Sequence, residues 1–297
     1  MAWIFHYGAS ESALDDYQRT YSIISVIICG AALVLSPVVY KMMESVQIVL
    51  VTFVFVVLAI ATVVVSRWST VGLFVTSATD LSYLGKIAEA NAWPLLFGAI
   101  AYAGIGGMGN MIQGHYIREK GFSMGRYAGR IVSPLTGKEE ATVAEAGYFF
   151  NMTPENLVQW RGWWKSANME HVLSFLLLTA LSIVLLSFLS YHTVFGVEGY
   201  TSGISFIRGE AEVLTQHFGP AFKWAFLGMG WAILFTSQIG AMDLISRLST
   251  DIIKWTWLRG VKSWTESKIY VVLVCAEVLL AVVIFATGAR DPRTLLT

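Results

Sequence analysis

The apolar residues of this chain run in unbroken blocks, near residues 22–40, 46–66, 94–112, 169–192, 222–244 and 268–288. A helix needs about 20 such residues to cross a hydrocarbon layer about 30 Å thick, and each block approaches or exceeds that length. No segment alternates apolar and polar residues in the way of an outer-membrane barrel strand. The pattern predicts an all-α integral membrane protein of about six transmembrane helices, and the polar stretches between blocks become its loops.

Composition strengthens this reading. Hydrophobic residues make up 56% of the 297 and charged residues 13%, against roughly 25% charged in an ordinary soluble domain. Tryptophan falls at block edges, at Trp68, Trp93, Trp163, Trp164, Trp224 and Trp255, which is the pattern of an interfacial belt in a lipid bilayer. The formal net charge of +0 gives no reason to expect nucleic acid as a partner. Cys29 and Cys275 both lie inside apolar blocks, where a thiol serves as a small hydrophobe, so no disulfide is expected. Residues 1–21 lack the charged start, short apolar run and cleavage site of a signal peptide.

Loop charge sets an orientation, because retained Lys and Arg favour the cytoplasm. Sorted by alternate sides, thirteen of the 20 basic residues fall on the side holding the 116–168 loop and seven on the other. The long loop is therefore expected in the cytoplasm and the N-terminus outside, in a multi-pass protein of a cell inner membrane or plasma membrane. An outside N-terminus without a signal is explained if an odd number of helices precedes Met1, and the chain is expected to be part of one larger transmembrane domain. Within the 116–168 loop, Pro134-Leu-Thr-Gly137 reads as a turn, and Thr153-Pro-Glu-Asn opens a Trp-rich amphipathic run expected on the membrane surface.

The third block carries the most chemistry. Four glycines within six residues, Gly104, Gly106, Gly107 and Gly109, precede Asn110. Each glycine costs about 1 kcal/mol in a helix interior, so a helix break is expected near Gly106 to Asn110. Breaks at membrane depth survive where freed carbonyls face protein or a water-filled cavity, and secondary transporters build ion sites from them. Carbonyls of Gly106 and Gly107, the Met108 thioether and the Asn110 amide oxygen are the expected ligands. Close helix packing through small residues is the alternative. His115 follows, with Glu119 four residues on, so the two can share a helix face. A metal pair or proton relay is conceivable there, although for Glu119 an exposed position beside Arg118 and Lys120 is the preferred reading.

The fifth block places Thr236, Ser237, Gln238 and Asp243 in its cytoplasmic half. An intramembrane carboxylate costs roughly 2.5–3.5 kcal/mol on insertion scales unless paired or wetted. Asp243 and Arg247, at i and i+4, are expected to form a structural ion pair near the interface. Glu277 has no basic residue within a turn or two, so it is either protonated or paired with a group on another helix. His115, Gln238, Asp243 and Glu277 are the candidate ion or proton pathway. The chain has no His-Glu-x-x-His, no Gly-x-Ser-x-Gly and no phosphate-cradling loop, and none of these signatures points to an enzyme.

Three stretches resemble the Nramp divalent metal transporters, and more closely their divergent bacterial Nramp-related branch: GGMGNMIQGHYIREKGFSMG at 106–125, LSPVVYKMMESVQIVL at 35–50 and LFTSQIGAMDLISRLSTDII at 234–253. Only the first is specific. The resemblance implies a LeuT-like inverted-repeat fold, with the six blocks as helices four to nine and the break at 106–110 in helix six. It implies that Met108 is the soft ligand, that Asn110 stands where the family has His, and that His115 matches the family's second His. The lost Pro-His pair weakens proton coupling. Thioether ligands suit manganese and iron, whereas amide and carbonyl oxygens suit magnesium, so the cargo is expected to be a divalent metal ion with no resident cofactor. The family's first-helix Asp-Pro-Gly-Asn motif is not in these residues, which implies that the chain holds half of a site, completed by helices on either side of it.

Two further function classes remain. One is another LeuT-like secondary transporter, for amino acids or organic cations. The other is a membrane enzyme using His115, Glu119 and Asp243.

Overall fold

A computed structural model describes residues 11–80, 82, 85, 93, 94, 96–98, 108–136, 149–195 and 205–287. Its elements are helical: α1 (Glu11–Leu35), α2 (Val39–Val65), α3 (Val71–Thr79), α4 (Met108–Lys120), α5 (Pro154–His171), α6 (Leu178–Thr193), α7 (Ser205–Phe218), α8 (Pro220–Thr256) and α9 (Glu266–Ala286). Short 3-10 turns lie at Trp68–Thr70 and Ser123–Tyr127. Five helices among the described residues are long and apolar enough to cross a membrane: Asp16–Leu35, Val39–Val65, Pro154–Thr193, Pro220–Thr256 and Glu266–Ala286. The protein is thus all-helical where described and multi-pass in character. Most of the third apolar block, with Gly106 and Gly107, lies outside the described residues.

Local chemistry explains several boundaries. Gly121 takes φ +85°, its N–H meets the Arg118 carbonyl at 3.0 Å, and the Phe122 N–H meets that of Ile117 at 3.2 Å. These paired bonds are the Schellman arrangement that ends α4. Between α7 and α8, Gly219 turns left-handed at φ +81° and Pro220 opens the next helix, where a missing N–H costs nothing. The Trp-rich run forms α5, which passes through a π-helical stretch at Val172–Leu177 straight into α6. At 1.5 Å per residue this 40-residue helix is about 60 Å long, twice the hydrocarbon thickness.

The chain divides into two compact units. The first comprises residues 1–54, 114–170 and 227–297. Its apolar core joins Cys29, Leu33, Val39, Met43, Ile131, Phe235, Ile239, Met242, Tyr270 and Val274. Helix α1 packs closely on α9 at Gly30, where a Cβ would overlap Val278 Cγ2. A loop strap joins this core. Ile131, Val132 and Ser133 are buried, Val132 pairs with Val38 at the α1–α2 corner, and its N–H reaches Ser267 Oγ at 3.2 Å. The Thr136 hydroxyl donates to the Leu35 carbonyl at 2.6 Å. The turn expected after Pro134 is present, closed by Leu135 and Thr136 N–H groups on Ser133 Oγ.

The second unit comprises residues 55–113 and 171–226. Phe74 meets Phe188 edge-on at 5.1 Å between ring centroids, and Thr70 Oγ1 lies 2.7 Å from His192 Nε2. Ala211 and Leu214 of α7 are buried. Glu210 is buried with them; burial pushes its carboxyl up to about 7, against the lowering effect of hydrogen bonds from Ser190 and Thr193.

Candidate functional site

The densest polar chemistry lies in the first unit, where α4, α8 and α9 meet. Asp243 and Arg247, one turn apart on α8, have zero exposure. Arg247 Nε donates to both oxygens of Asp243 at 2.8 Å. The same carboxylate accepts the Tyr116 hydroxyl from α4 at 2.8 Å and the Tyr270 hydroxyl from α9 at 2.6 Å. Asp243 is therefore saturated. Both phenol rings also flank the guanidinium, at 5.6 and 5.7 Å from ring centroid to Cζ, which adds cation–π attraction in a desolvated setting.

Arg247 Nη1 reaches across to Glu119 Oε1 on α4. Glu119 is only 1% exposed, which corrects the expectation of a solvated neighbour of Arg118 and Lys120. The helical turn that points Lys120 toward Glu170 points Glu119 inward, and only a cation on a distant part of the chain could offset burial of its charge. The Asp243–Arg247 pair is present, as expected from its spacing, but fully buried and shared with Glu119. Arg247 lies in α8 and belongs to the core, not to a loop, and the charge bias between the two sides keeps its direction without it.

His115 Nε2 faces Asp251 Oδ2 at 3.3 Å, with side chains 11% and 37% exposed respectively. His115 and Glu119 thus stand on one face of α4 but take separate partners on α8. Glu277 does find a group on another helix: Ser246 Oγ donates to its Oε1 at 2.9 Å. Gln238 accepts the Ser25 hydroxyl from α1 at 2.8 Å. So Asp243 and Glu277 come together through neighbouring residues of α8, whereas Gln238 lies farther along that helix.

Met108 and Asn110 occupy the first turn of α4, and both are exposed. At 3.6 residues per turn, positions two apart point to nearly opposite sides of a helix. Met111, three residues after Met108 and 65% exposed, is the thioether that shares its face. Among the described residues no group of three or more His, Cys, Asp or Glu side chains is placed to hold a metal ion.

Tyr116 and Tyr270 are central to the cluster and were not singled out in the sequence. Tyr270, Val274 and Glu277 recur at i, i+4 and i+7 along α9, and that stripe was the available signal. No protein-family model, curated protein or solved structure matches this chain.

Proposed function

We propose that this chain is part of a LeuT-like secondary transporter that carries a divalent metal cation, Mn2+, Fe2+ or Mg2+, across the membrane. The observation that carries the reading is a buried excess of acid over base. Glu119 and Asp243 have essentially no exposure and share one guanidinium, and the half-buried Glu277 has a hydroxyl partner. Ionisable groups inside apolar helices are costly and mark substrate or ion routes. An excess of carboxylates favours a route for cations over one for an anionic substrate. The resemblance at residues 106–125 supplies the class of cargo, and exposed Met108 and Asn110, on different sides of the first turn of α4, each leave a donor, thioether or amide, open to a metal.

Uptake of Mn2+ and Mg2+ by the full reading frame, with Met108→Ala and Asn110→Ala beside it, tests the proposal. Loss of uptake in both variants supports the site, and the ratio of the two ions distinguishes a thioether-led site from an oxygen-led one. Metal uptake indifferent to both changes removes the site. Amino-acid uptake without any metal response favours the alternative transporter.

A further inference from the structure

Four buried polar atoms at and beside the Arg247 cluster lack a hydrogen-bond partner among the described residues: the donors Arg247 Nη2 and Arg118 Nε, and Glu119 Oε2 and His115 Nδ1. The last two belong to side chains four residues apart on α4, whose Cβ atoms are about 5–6 Å apart on one helix face. Buried polar atoms rarely stay unpaired, because each costs about 1–3 kcal/mol. Glu119 Oε2 is an acceptor and His115 Nδ1 a ring nitrogen that can give or take a proton, so one ordered water between them would satisfy both, with the guanidinium donors of Arg118 and Arg247 beside it.

The charges around Glu119 are unbalanced. Arg247 is the cation in contact with it, and Arg247 already shares its single Nε–H between both oxygens of Asp243. Asp243 holds four hydrogen bonds, two of them from Tyr116 and Tyr270, and is the better-stabilised anion. Two carboxylates share the buried Arg247 guanidinium, with Arg118 acting on Glu119 as a second cation that makes no hydrogen bond to it, and the poorly satisfied carboxylate is the one that takes up a proton. The other charged and titratable groups that act on Glu119 are Asp243 on α8, Tyr116 and Arg118 on its own helix, and Tyr40 on α2. Tyr40 of α2 meets Tyr116 at a tilt, 5.8 Å between ring centroids, and donates its hydroxyl to Glu44.

We propose that Glu119 is a proton-binding site served by an Asp251–His115 relay. A proton arriving at half-exposed Asp251 passes to His115 Nε2, and His115 releases its Nδ1 proton through the bridging water to Glu119 Oε2. The carboxylate becomes a neutral carboxylic acid, its charge changing from −1 to 0; release runs the same transfers in reverse. Protonation weakens the Glu119–Arg247 link between α4 and α8 while leaving Asp243–Arg247 intact. The proposal does not depend on which cargo the transporter carries.

The test uses the purified full chain in lipid vesicles without cargo, so a failed transport assignment leaves the result readable. Dicyclohexylcarbodiimide, which enters apolar regions and reacts with protonated carboxyls, is applied from about pH 8 to about pH 5, where carboxyls and histidines with shifted affinities titrate, and adducts are mapped by mass spectrometry. The expected result is modification of Glu119 that rises as pH falls, with Asp243 unmodified. In parallel, the Glu119 share of the protonated-carboxyl infrared band is expected to be lost in Glu119→Gln, leaving the share from Glu210. In His115→Phe the band is expected to persist but to form about tenfold or more slowly after a pH jump, as expected for loss of a positioned proton carrier. Glu119 unmodified at every pH, or a band unchanged by Glu119→Gln, overturns the site. An unchanged rate in His115→Phe overturns the relay.

Discussion

Replacing Arg247 with methionine keeps much of the side-chain volume and removes the single cation between Asp243 and Glu119. Asp243 would retain the Tyr116 and Tyr270 hydroxyls, each worth about 1.5–3 kcal/mol to a charged acceptor. Glu119 would retain no described partner. Breaking a buried pair from one side costs about 3–5 kcal/mol, because a charge is left uncompensated. With about 2–4 °C of melting temperature per kcal/mol in a chain of this size, the expected loss is about 6–20 °C in a detergent-solubilised thermal melt. The compound variant Arg247→Met, Asp243→Leu, Glu119→Leu, with Tyr116→Phe and Tyr270→Phe, removes every charge and every hydroxyl that served them. Apolar replacement of whole buried ion clusters is often neutral or stabilising, so this variant is expected to melt higher than Arg247→Met alone. If the single change shifts melting by less than about 3 °C, or if the compound variant melts as low as the single one, the cluster does not hold these helices as described.

The second unit should show its own pH dependence. The Glu210 carboxyl binds its proton more tightly folded than unfolded, so its contribution is complete at low pH and is lost as pH rises from about 4.5 through about 7. That loss amounts to about 3 kcal/mol at 1.36 kcal/mol per unit, and Glu210→Gln should flatten the melting curve against pH over that interval; an unchanged slope refutes it. Gly30→Ala should cost about 1–3 kcal/mol by overpacking against Val278, and adding Val278→Ala should recover most of it in the same melt. Met108→Ala, at an exposed position, should change stability by no more than about 0.5 kcal/mol, so a large drop in melting temperature would show that it is structural.

Apolar runs made α2, α6 and α9 legible, because a membrane-length helix is written in consecutive residues. One junction was also readable where chemistry is local, at the turn that opens with Pro134. What could not be read was long-range pairing. Glu119 and Arg247 are 128 residues apart, and nothing near Glu119 distinguishes an inward-facing carboxylate from a solvated one among Arg118 and Lys120. The Asp243–Arg247 pair was visible because i,i+4 spacing is local; its third and fourth partners, Tyr116 and Tyr270, were not, since a phenol in an apolar helix reads as packing until its hydroxyl has an acceptor. α5 was separated from α6 in the sequence by its change in polarity, yet backbone hydrogen bonding continues through the intervening π stretch regardless of which faces are apolar.

The strap at residues 131–136 has a consequence for biogenesis. The α1–α2 corner leaves the ribosome first, but the hydroxyl that caps the Leu35 carbonyl arrives 101 residues later, about 5–20 s of synthesis at ordinary rates. Ser267, which secures the strap to α9, follows Val132 by a further 135 residues. The α1–α2 hairpin therefore waits, its corner still hydrated, until α9 is made. Closure of this corner is timed by α9, and a ribosome stalled before α9 would leave the strap unsecured.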